Sequence, residues 1–226
     1  MTRPLRLRAV NHRAQAREQA QARQRATVLT VARQVFTEVG YDAATLREIV
    51  RRTSLPAGAV QQLFPDKEAI FQTLVDDSAR RLRARVRAAR DRAASLDEFV
   101  EGPYRAFFAF VAEDRVAFDL LRRDPATIRR LLQEPALGAS VTELHDDLEA
   151  AVARGDLPHV DLDYLTAAMA GVAVEVALRM VERQPPDVEG AAVFASRLFL
   201  GGLDRLREAP PAARPSRGGR RPRAPR

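Results

Sequence analysis

Cysteine is absent from all 226 residues, and so is tryptophan. Without Cys there is no disulfide framework, no thiolate metal site and no Cys nucleophile, and the composition suits a reducing compartment. Long apolar runs are also missing. The best, Leu165 to Leu178, is interrupted by Glu175, short of the roughly eighteen unbroken residues that a membrane helix needs. The arginine-bearing N-terminus lacks the apolar segment of a signal peptide. These absences lead us to expect a soluble, cytoplasmic protein with no membrane partner. Aromatic residues make up 6%, yet 46% of the chain is hydrophobic, so an aliphatic, alanine-rich core is expected rather than disorder. Strand signals are scarce: period-2 alternation is rare, and no Asn-Gly or Asp-Gly hairpin turn occurs.

Acid is scarce at both ends. Residues 1–25 and residues 209–226 each carry a net charge of +6, whereas the whole chain carries +7, so residues 26–208 are net −5. Basic ends on a mildly acidic body read as arms that meet a polyanion. The leader has two readings, one tracking phosphates or a minor groove and one merely solvated.

Helix signals fill the middle. Val28, Leu29, Ala32, Val35 and Phe36 recur at helical spacing up to Gly40, a natural left-handed stop. Thr45 with Glu48 forms a capping box for a short helix bearing Leu46, Ile49 and Val50. Thr53-Ser54-Leu55 makes a turn, and Pro56 suits the first position of another short helix that Pro65 ends. Asp66 can cap a long helix whose later part, Arg80 to Arg92, reads as a solvated arginine face. Ser95 with Glu98 opens the next helix, followed by one over about 138–154, one from Asp161 or Asp163 to Glu182, and a last from Asp187 to about Arg207. The total is about nine helices and no internal repeat, with a Pro, Gly and Arg tail expected to be disordered.

Two short helices across a three-residue turn, behind a longer one, are the parts of a helix-turn-helix reader of DNA. The stretch Arg25 to Val75 resembles the DNA-binding domain of TetR-type transcriptional regulators. The resemblance rests on Phe36, Gly40-Tyr41, Thr45, Ile49, Gly58 and the block Phe64-Pro65-Asp66-Lys67-Glu68-Ala69, in register across about fifty residues. It implies an all-α fold: an N-terminal three-helix domain (25–71) behind a basic leader (1–24), then a larger helical effector-binding and dimerisation domain (72–208) and a basic tail (209–226). It also implies double-stranded DNA with a palindromic operator as partner, homodimerisation through the last two helices, and no cofactor.

The DNA-contacting residues are expected to be Arg25, Thr45, Pro56, Ala57, Gly58, Gln61, Gln62 and Lys67. Thr45 and the amides behind it suit a phosphate, or Thr45 only caps its helix. Gly58 costs roughly 1 kcal/mol against Ala inside a helix, which points to close approach either of DNA or of a packed neighbour. Lys67 meets phosphate or is simply a solubilising charge. Several positions depart from the family. It usually has a polar cap at 56, a basic residue at 57, Tyr at 61 and His at 62, where this chain has Pro56, Ala57, Gln61 and Gln62. The reading helix therefore bears no charge, and its two glutamines are left to pair with adenine edges or reach phosphate. Ser54 stands where the turn usually has glycine, so a left-handed conformation there would cost about 1–2 kcal/mol.

In the body, five Phe fall within 99–118. They read either as core or as the wall of a cavity for an apolar effector. The residues expected at that cavity are Tyr104, Phe107, Phe108, Val111, Phe118, Met169, Val172 and Val176. The segment from Tyr104 to Leu121 with Gly201-Gly202-Leu203 is similar to TetR-type regulators of fatty-acid metabolism, which implies an acyl-CoA effector, its phosphates held by an arginine-rich mouth. Glu175 reads as one half of an i,i+4 pair with Arg179. Two rivals remain. An enzyme would need more than His145-Asp146-Asp147, whose side chains diverge on a helix, and none of the common catalytic motifs is present. A nonspecific nucleoid-type binder would use only the arginine ends.

Overall fold

Five helix starts are set by short polar side chains that accept a hydrogen bond from a backbone N–H three residues on. Thr45 accepts from Glu48 N, Asp66 from Ala69 N, Ser95 from Glu98 N, Asp161 from Tyr164 N and Asp187 from Gly190 N. Each answers one of the donors that a helix leaves open at its beginning. The computed structural model describes residues 5–114, 116 and 135–208. Within these, eight helices and no strand are present: α1 Leu5–Ala43, α2 Leu46–Thr53, α3 Ala57–Leu63, α4 Lys67–Asp91, α5 Leu96–Glu113, α6 Pro135–Arg154, α7 Leu162–Met180 and α8 Val188–Glu208. The architecture is all-α, with eight of the expected nine or so helices among the described residues. The C-terminal tail and Phe118 lie outside them.

The leader continues α1 from Leu5, and α1 is broken at Gly40, whose φ of 76° takes it out of the helix. The break turns Tyr41 back into the core, where its ring lies 4.5 Å from Phe71 and 5.5 Å from Phe36. The turn between α2 and α3 holds Ser54 at φ 58°, the one non-glycine residue with positive φ among those described. Several boundaries shift against expectation, α6 starting at Pro135 and α7 ending at Met180 among them. Helix α2 runs on to Thr53, and Pro56 is the N-cap of α3 rather than its first residue.

Two apolar cores result. The first joins Val28, Val35, Phe36, Ile49, Val60, Phe64, Ile70 and Phe71 of α1–α4. The second joins Val100, Tyr104, Phe108, Leu148, Met169, Ala177 and Ala192 of α5–α8. Helix α4 passes through both regions without a break, and α5 packs against α4 on one side and α8 on the other.

The expected solvated arginine face of α4 is corrected by the structure. Arg83 and Arg87 donate to Glu143 of α6, Arg90 to Asp147 of α6, and Arg85 to Glu113 of α5. Arg90 is buried. Carboxylates 28 to 60 residues along the chain pair with four arginines of a run that local sequence leaves to solvent. Arg179 donates to Glu182, three residues on, at 3.2 Å.

Candidate nucleic-acid interface and ligand cavity

Helix α3 is seven residues, Ala-Gly-Ala-Val-Gln-Gln-Leu, and it is held by one side only. Val60 is fully buried and Phe64, its C-cap, is 1% exposed. Pro56, Ala57, Gly58, Gln61 and Gln62 all face solvent. A Cβ built on Gly58 meets nothing within 4 Å, so close packing of a neighbouring helix does not explain this glycine.

Arg25 and Lys67 bind the fold itself. The Arg25 guanidinium sits 4.3 Å above the Phe64 ring, donates to the Leu63 carbonyl at 3.4 Å and to Thr73 Oγ1 at 3.2 Å. It thus fastens the C-terminal end of α3 to α1 and α4. The Lys67 ammonium donates to the carbonyls of Tyr41 and Ala44, each at 2.9 Å, and lies 4.2 Å from the Tyr41 ring. The reading of Lys67 as a free solubilising charge is therefore corrected: it closes the corner after Gly40.

At the start of α2, Thr45 caps Glu48 N. The Glu48 carboxylate accepts from Arg51 and Arg52, which hold its pKa at about 2, well below the ordinary value, with Arg51 the larger influence. Arg52 also reaches Glu38 of α1. Arg47, two residues after Thr45, is exposed and has no ion-pair partner among the described residues. Sequence reading passed it over, although a lone arginine in the first turn of a capped helix is a usable signal for a phosphate contact.

In the body a cavity of about 120 Å³ lies among α4, α5, α6 and α7. Of the residues expected there, Tyr104, Phe107 and Met169 line it. Phe108 and Val111 do not: both are buried in the adjoining core, Phe108 at 0% exposure. Val172 and Val176 pack against that core from outside the cavity wall. Phe99 and Pro103 of α5, Val86 and Arg90 of α4, and Ser140 of α6 line it unforeseen. The Tyr104 hydroxyl donates to the Met169 carbonyl at 3.0 Å, and burial pushes its phenol far above the ordinary range, so it stays neutral.

The cavity and the reader are joined at the end of α5. Asp114, its C-cap, is buried and accepts from Arg33 of α1, from Ser78 and Arg81 of α4, and from the Val116 backbone N–H. Val116 itself is 1% exposed and belongs to the core of the reader. His145 and Asp147 turn to different partners, as their helical spacing implies. His145 Nδ1 lies 3.3 Å from Thr166 Oγ1, while Asp147 turns to Arg90. Tyr164 of α7 and Phe194 and Leu198 of α8 are exposed, at 77%, 60% and 51%. None of the described helices is long and apolar enough to cross a membrane.

Residues 28–74 match the family described as bacterial regulatory proteins, tetR family. The chain is similar to the HTH-type transcriptional repressor Rv1474c of Mycobacterium tuberculosis, at 30% identity over 145 residues, covering 61% of this chain and 73% of that protein. Among solved structures, the fatty acid degradation regulator FadR of Bacillus halodurans superposes with a TM-score of 0.66 at 21% identity, over 80% of this chain and 96% of the other. A TetR-family regulator of Pectobacterium atrosepticum gives 0.65 at 23% identity, over 81% and 95%.

Proposed function

Because the chain belongs to the TetR family of bacterial regulatory proteins, whose members bind DNA and dimerise to regulate transcription, we propose that it is a repressor that leaves its operator when an apolar small molecule enters the α4–α7 cavity. The observation that carries this reading is the one-sided burial of α3: Val60 and Phe64 anchor it while Ala57, Gly58, Gln61 and Gln62 stand free. That free face enters a major groove, with the α2 N-terminus at Thr45 and Arg47 on the flanking phosphate. Arg25 and Lys67 hold the reader in position from behind.

The exposed Phe194 and Leu198 strip on α8, with α7, forms the dimer face as a four-helix bundle of two protomers. A two-fold dimer reads a palindrome whose half-sites lie about 34–36 Å apart, one turn of DNA. Ligand in the cavity bears on α4 and α5, and Asp114 passes the displacement to Arg33 of α1. The ligand thereby biases two states of reader separation by its differential affinity for them.

The acyl-CoA expectation finds little support in this wall. Arg90 is the one cation lining the cavity among the described residues, and it already faces Asp147 and Glu143. Selection of bound DNA from a random pool tests the function. A recovered palindrome is the expected result; enrichment of no sequence, with binding that only tracks salt, would make the protein a nonspecific binder acting through its arginine ends.

A further inference from the structure

The cavity wall is apolar except at a few atoms, and their hydrogen bonds define what can occupy it. The Tyr104 hydroxyl already donates its hydrogen bond to the Met169 carbonyl. Arg90 is tied to Asp147 at 2.6 Å and faces Glu143 at 3.6 Å, so the cation on the wall is already offset and a second buried charge would be costly. Ser140 differs. Its Oγ is buried without a hydrogen-bond partner among the described residues, and Ser140 lines the cavity. Elsewhere on the wall Pro103 sits inside α5. Its missing N–H removes the donor that would close the helix on the Phe99 carbonyl. Phe99 and Pro103 both line the cavity.

A buried hydroxyl left unsatisfied costs about 1–3 kcal/mol, and an apolar pocket with one or two placed polar groups is the usual form of a small-molecule site. Size narrows the class further. About 120 Å³ is close to the roughly 150 Å³ apolar cavity that holds benzene, so one ring fills the space between these walls.

Resting on the ligand-released reading above, we propose that the effector is a compact, uncharged, ring-sized molecule carrying one hydrogen-bonding group, of which phenol is the simplest representative, and that Ser140 is the residue that recognises that group. The aromatic edges of Phe99 and Phe107 hold its apolar body, and the Ser140 hydroxyl donates to or accepts from its polar atom.

The test uses the full-length protein on its selected operator, following release by fluorescence anisotropy and binding by calorimetry. The probes are phenol, toluene, benzoate and palmitoyl-CoA. Phenol should bind and release the operator, toluene should bind about tenfold more weakly, and benzoate should not bind. Ser140→Ala should lower phenol affinity to that of toluene while leaving toluene unchanged. An equal loss for both rings in Ser140→Ala would overturn the recognition role of the hydroxyl. Release by palmitoyl-CoA or benzoate, with neither ring bound, would overturn the ligand class and leave ligand-released repression standing. Binding by none of the four probes also overturns the class. Operator selection, which needs no ligand, judges the DNA-reading function separately.

Discussion

Gln61 and Gln62 are the only long polar side chains on α3, and both are exposed. A glutamine paired bidentately with adenine is worth about 1–3 kcal/mol of discrimination. Replacing both by Ala should therefore bring operator and scrambled DNA to nearly equal affinity in a competition assay, with the denaturation midpoint unmoved. Gly58 supplies a check of opposite sign. Its built Cβ meets open space, so Gly58→Ala should raise stability by up to about 1 kcal/mol in urea denaturation. The same methyl should weaken operator binding if, as proposed, that face approaches the base edges. Operator affinity that rises along with stability would remove α3's backbone from the contact.

Helix α5 borders the cavity along its length and ends at Asp114, and its neighbouring phenylalanines divide between cavity wall and core. Phe107 lines the cavity and Phe108 is wholly buried. Phe108→Ala should cost about 3–5 kcal/mol, whereas Phe107→Ala should cost distinctly less, since its ring already borders empty space; thermal unfolding of the two variants gives the comparison. At the far end, Asp114→Asn keeps the shape but removes the charge opposite Arg33 and Arg81. The loss should fall at or below the low end of the roughly 3–5 kcal/mol found for breaking a buried pair, because both arginines still reach solvent. A folded Asp114→Asn that binds operator but needs more ligand for release identifies the joint as the transmitting contact. Unchanged ligand response sends transmission through α4 alone.

What was legible in the sequence follows the reach of each interaction. Thr45, Asp66, Ser95 and Asp187 act on an amide three residues away, so a capping pattern finds them. The Asp161 or Asp163 ambiguity needed the backbone to resolve it. Lys67 finds its acceptors 23 and 26 residues back, and Arg90 its carboxylate 57 residues on. No local pattern encodes such pairings. Phe107 and Phe108 differ by 100° of helix rotation, and which one faces a void is decided by α6 and α7.

At the scale of the molecule, the exposed strip of α8 should decide oligomeric state. Phe194→Glu places a charge where an apolar surface is to be covered, and should yield monomers in sedimentation with a midpoint close to the parent's. Operator affinity should fall steeply in that variant, since one half-site then binds without the other. Dimers that persist would move the interface off α7 and α8.

The absence of charge from α3 has a consequence for how such a regulator behaves as the ionic strength of its surroundings changes. Phosphate contacts lose affinity with salt because they release counterions, and that loss is shared by operator and bulk DNA. Contacts made by amides release none. A reader composed of Ala, Gly, Val, Gln and Leu thus contributes a selectivity that salt leaves almost untouched. When ionic strength rises, occupancy of the operator and of the competing chromosome should decline in parallel, and their ratio, which sets where the protein resides among many decoy sites, should hold steady.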